Sequence, residues 1–145
     1  MIESAAMLIH LADAHPQSHL APSPGTTAHA MFLQWMVFLS ANAYEAALRM
    51  CYPARYSAQG EPDAPGIRGQ GEIDFLAHLG LISERLNPYV LGDRYSVADV
   101  YLYMLATWYT GDMSALYARL PGLGAHAALI ATRPTIAKVE ADHVR

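Results

Sequence analysis

The stretch from Thr26 to Cys51 constrains this chain more than any other. Phe32, Trp35 or Met36, Leu39, Ala43, Ala46 or Ala47 and Met50 recur at the three- and four-residue steps of a helix. Either Thr26 or Thr27 can cap its start, and Pro53 ends it. Charge is almost absent until Glu45 and Arg49, an i, i+4 pair in the favourable order. A helix that is apolar nearly all round has to be central and packed on several sides. The remaining segments must therefore wrap it.

Those segments are helical too. Ala and Leu together number 42 against 13 for Val plus Ile, a balance that favours helix over sheet. Residues 3–14 read as a short amphipathic helix with Ala5, Leu8, Ala12, Met7 and Leu11 in its apolar arc. Pro16, Pro22, Pro24 and Gly25 mark an extended linker. Residues 57–66 are a loop by composition. A helix then runs from about Ile67 to Leu86, with Ile73, Leu76, Leu79 and Ile82 facing inward. The sharpest start signal is Ser96–Val97–Ala98–Asp99, a capping box with Asp in place of Glu, flanked by Tyr95 and Val100 at the staple positions. Its helix continues through Tyr101, Met104, Leu105 and Trp108. Gly111–Asp112 and Leu120–Pro121–Gly122 break the pattern, leaving short helices at 123–131 and 134–143. The expected fold is all-α, a helical bundle of five or six helices.

With 145 residues, 53% of them hydrophobic, the chain can bury one core of ordinary size. A net charge of −4 without a basic stretch speaks against nucleic acid. No apolar run reaches the roughly 20 residues of a membrane span, and Glu3 stands where a signal peptide would be basic. A cytoplasmic location is the default. Cys51 alone excludes an internal disulfide and a multi-thiolate zinc site. Of the seven histidines only His15 and His19 stand four apart, and Pro16 spoils their shared helical face. No metal site is expected. Charged residues make up 15% of the chain, against about 25% in a typical soluble domain. Part of the surface is therefore expected to lie against a partner subunit or a further domain.

Three strings, in order, resemble the glutathione transferase family. Leu91-Gly92-Asp93-Arg94-Tyr95-Ser96-Val97-Ala98-Asp99-Val100-Tyr101-Leu102 resembles the helix-start motif of that family's C-terminal domain. Arg133-Pro134-Thr135-Ile136-Ala137-Lys138-Val139 resembles its closing helix. Glu3-Ser4-Ala5-Ala6-Met7-Leu8-Ile9-His10-Leu11 resembles the last helix of its thioredoxin-like N-terminal domain. The resemblance implies residues 1–15 as a remnant of that domain, 16–25 as a linker and 26–145 as the helical domain, with most of the thioredoxin-like part missing.

By the same resemblance, Glu3 and Ser4 would receive the γ-glutamyl end of glutathione once an upstream domain is supplied; in the isolated chain they are expected to fray. Tyr44 and Trp108 would line the pocket for a hydrophobic substrate. Val37 stands where several bacterial members carry Asn. Tyr101, Tyr103 and Met104 read as core, Cys51 as a small core residue, and Ser96 and Asp99 as structural. No catalytic residue is identified, since no residue here can steady a thiolate without a scaffold to place it. No cofactor is implied, with glutathione a co-substrate only beside the N-terminal domain. The expected function is the helical, substrate-side half of a transferase that conjugates glutathione to electrophilic small molecules, working as a homodimer or with the thioredoxin-like domain. The rival is a non-catalytic interaction module, as similar domains in translation factors and synthetase complexes are.

Overall fold

A computed structural model of the chain describes residues 1–143. Its helices are α1 (Ser4–Ala14), α2 (27–51), α3 (Ala64–Ser83), α4 (Val97–Ala106), α5 (Met113–Arg119), α6 (Pro121–Ala131) and α7 (Pro134–His143). No strand occurs among the described residues; the nearest thing is a pair of isolated bridges, Tyr89 with Gly92 and Leu91 with Arg94. The fold is all-helical, and it has one helix more than the sequence suggests. No helix among the described residues is long and apolar enough to cross a membrane.

The centre is α2. Thr26 is extended, and its hydroxyl accepts the His29 amide at 3.1 Å, satisfying one of the free N–H groups of the first turn. Phe32, Met36, Leu39, Ala43, Ala47 and Met50 are fully buried. Helix α2 is not uniform: α-helical Thr27–Phe38 passes into a π-helical turn, Leu39–Tyr44, and returns to α-helix over Glu45–Cys51. Around it α3 lies along the second half, α4 crosses the middle, α1 lies on α4, and α6 bridges α3 and α4. The linker is tied to this body where the Val97 amide donates to the Leu20 carbonyl at 2.8 Å.

Several local expectations change. Helix α3 begins at Ala64 and ends at Ser83, with Pro65 in the first turn where its missing N–H costs nothing. The preceding loop holds two short 3-10 turns, Pro53–Tyr56 and Glu61–Asp63. Ile73 points outward, 62% exposed, and the buried stripe is Gly71, Phe75, Leu79 and Ile82. Gly71 explains the rotation, because a Cβ there would sit 2.7 Å from the Met50 backbone nitrogen. Helices α2 and α3 touch backbone to backbone at that point, and only glycine permits it.

Asp112 starts a helix instead of breaking one: its carboxylate accepts the Ser114 amide at 2.8 Å and caps α5. Pro121 likewise opens α6 from its first position. Helix α4 stops at Ala106, so Trp108 stands in the turn beyond it. In α1, Ala5 and Ala12 are buried, while Met7 and Leu11 are exposed.

Candidate functional site

The π turn sets the site. One extra residue widens the helix there and changes the direction in which the following side chains leave it. Tyr44, the last residue of that turn, meets Trp108 edge to face, with ring centroids 5.2 Å apart and planes at 64°. Aromatic pairs prefer this arrangement, because the positive edge of one ring faces the negative face of the other. The two rings form one end of a half-open recess of about 460 Å³. Its floor is Ala47, Leu48 and Cys51, and its far rim is Tyr52 and Arg55. The Cys51 thiol points at the Trp108 carbonyl, 3.9 Å away.

Tyr44 and Leu48 are also walls of a second, polar recess of about 320 Å³. Glu3, Ser4, Ser40, Glu45 and Tyr101 complete it. Sequence alone expects Glu3 and Ser4 to fray. In the structure Ser4 is the first residue of α1, with its hydroxyl 3.1 Å from the phenol oxygen of buried Tyr101. Glu3 takes φ 68°, a region unfavourable to a side-chain-bearing residue. The Glu45 carboxylate accepts the Tyr56 hydroxyl at 3.2 Å and lies 3.7 Å from Arg49.

A third concavity, about 550 Å³ and almost wholly apolar, runs between α1, α4 and α7. Leu8, Val100, Met104, Ile136 and Val139 line it. Tyr103 and Met104, read from sequence as core, are only half-buried at its edge. The Tyr103 hydroxyl donates to the Glu140 carboxylate across it. Burial first, and then that carboxylate, push the Tyr103 phenol up to about 12.

Below these recesses lies a buried polar knot. Asp99 and Ser96 are fully buried. Both arms of the capping box are in place. The Ser96 amide donates to Asp99 Oδ2 at 2.8 Å, and the Ser96 hydroxyl lies 3.2 Å from the same oxygen. The other oxygen, Oδ1, accepts the Val90 amide at 2.8 Å and stands 3.0 Å from His126 Nε2. His126 is itself 1% exposed, and its Nδ1 has no hydrogen-bond partner. One carboxylate thus joins the 87–96 segment, α4 and α6.

Tyr44 and Trp108 are brought together, as are Glu3 and Ser4 beside them; Ser96 and Asp99 form a separate cluster. Sequence reasoning missed Arg55, Tyr52 and His126. A cation two residues past the helix-ending Pro53 was a usable signal for Arg55. Nothing local marks His126, which pairs across 27 positions.

Residues 73–143 match the family model described as Glutathione S-transferase, C-terminal domain. The helical unit is a glutathione S-transferase C-terminal domain. Over 114 residues the chain is 31% identical to an uncharacterized GST-like protein, YncG, of Escherichia coli (strain K12), covering 77% of this chain and 53% of YncG. The chain therefore spans about half the length of that relative. A beta-class glutathione S-transferase of Sphingomonas chungbukensis superposes with a TM-score of 0.78 at 27% identity, over 100% of this chain and 69% of its own. A sphingomonad glutathione S-transferase complexed with glutathione gives 0.77 at 26%, with the same coverage. The three recesses belong to the surface of this transferase-type helical domain.

Proposed function

We propose that this chain supplies the acceptor-substrate side of a glutathione-conjugating cleft. The aromatic recess of Tyr44 and Trp108 takes an apolar electrophile, and the polar recess at Glu3 and Ser4 takes the amino-acid end of glutathione. The observation that carries this reading is the shared wall: Tyr44 and Leu48 border both recesses, so occupants of the two would lie side by side. Tyr and Trp suit such a wall, having an apolar body and a polar tip.

Residues 1–15 then act as the edge of a thioredoxin-like unit, 16–25 as its linker, and the unit itself steadies the thiolate. Its docking face is the apolar groove between α1, α4 and α7, which is wide and lined by side chains that water solvates poorly. The relatives are longer than this chain, which leaves room for such a unit. The chain alone then binds hydrophobic ligands weakly and conjugates little. Calorimetric titration with a neutral naphthalene derivative tests the recess. Trp108→Ala and Tyr44→Ala should each weaken binding about tenfold, from loss of buried aromatic area. Unaltered affinity in both variants contradicts the reading.

The same groove supports a second reading, a non-catalytic assembly module. In that case light scattering shows a stable complex or dimer, and neither glutathione nor apolar ligands shift the melting curve.

A further inference from the structure

We infer that the aromatic recess selects flat aromatic ligands that carry an anionic group, and that Arg55 is the residue that selects them. The inference rests on the proposed small-molecule role of that recess and adds the charge of its ligand.

Among the residues lining the recess Arg55 alone carries formal charge, and no carboxylate joins it. The other cation nearby, Arg49, lies 3.7 Å from Glu45, and that carboxylate also holds the Tyr56 hydroxyl, so both are engaged on the polar side of the wall. Arg55 has no carboxylate within ion-pair distance among the described residues. Its guanidinium instead lies over the Tyr52 ring, 4.4 Å from the centroid. Stacking holds the planar group without consuming its in-plane N–H donors. Those donors fit the paired oxygens of a carboxylate or sulfonate.

The rest of the recess fixes the other half of the ligand. Tyr44 and Trp108 stand at one end, and Ala47 and Leu48 supply small apolar contacts between them and Arg55. A ring resting on the aromatic end would direct a substituent toward the guanidinium at the rim. A neutral ligand of the same shape would gain the aromatic contacts and leave the cation to water.

The test titrates the 145-residue chain by calorimetry with two probes of nearly equal size, 2-naphthalenesulfonate and neutral 2-naphthalenesulfonamide. At low salt the sulfonate should bind roughly tenfold tighter, the scale of one charge-assisted contact at a partly open site. The preference should shrink as salt is raised past the point where the screening length falls below about 10 Å. Arg55→Gln, an exposed position whose replacement leaves the core untouched, should bring the two probes to equal affinity. Equal binding of both probes to the unaltered chain, or a preference that survives Arg55→Gln, overturns this inference and leaves the aromatic recess standing. If neither probe binds, the recess itself is not a ligand site, and both readings fall.

Discussion

Asp99 answers for more of the structure than any other single residue. Its two oxygens receive the Val90 and Ser96 amides and face His126 Nε2, all out of reach of water. Removing the carboxylate leaves those donors buried without acceptors, and each orphan costs about 1–3 kcal/mol. Asp99→Ala should therefore lower the unfolding free energy by about 3–5 kcal/mol, the range seen when a buried pair loses one member. Ser96→Ala removes only a cap hydroxyl and should cost about 1 kcal/mol. Urea unfolding of the two variants measures the difference, and equal losses would contradict the assigned roles. Tyr103 gives a pH signature. Its phenol, pushed from 10.0 to about 12 by burial and by Glu140, holds its proton more tightly folded than unfolded. The stabilisation is whole below pH 10.0 and is lost as pH rises towards about 12. Unfolding followed across that window should be less pH-dependent in Tyr103→Phe than in the unaltered chain.

At the scale of elements, the contact between α2 and α3 turns on Gly71. An added Cβ would meet the Met50 nitrogen at 2.7 Å and the Arg49 Cβ at 2.9 Å. Gly71→Ala should destabilise by about 1–3 kcal/mol, as overpacking does. Gly69, in the same helix, has open space at its Cβ position. Gly69→Ala should stabilise by about 0.5–1 kcal/mol through helix propensity alone. Opposite signs in chemical denaturation support the packing described; the same sign in both opposes it.

The pair also illustrates what a sequence can display. The stripe of α2 was legible because Phe32, Met36, Leu39 and Met50 are large and apolar, and the capping box because its partners stand three residues apart. Gly71 carries no hydrophobic label, so Ile73 was taken for the inward residue of α3. The π turn at Leu39–Tyr44 has no local signature either, since its residues fit an ordinary helix equally well. Asp112 and Pro121 were visible as punctuation, and only the structure distinguishes a helix start from a break. The candidate site was half legible. Tyr44 and Trp108 came from family resemblance, whereas Arg55 and His126 acquire meaning only from neighbours distant in sequence.

For the molecule as a whole, the low share of charge anticipated a face turned toward something else. The apolar groove between α1, α4 and α7 is a surface suited to that role. The two recesses that share Tyr44 open on the same domain, which gives the proposed cleft both of its compartments. The most direct test is a titration of the isotope-labelled chain with S-hexylglutathione, followed by amide shifts in NMR. This ligand carries the polar tripeptide and an apolar arm in one molecule. The account expects a single weak, saturable process in which amides near Ser4, Tyr44 and Trp108 shift together. Shifts confined to other regions, or none at millimolar ligand, would contradict it.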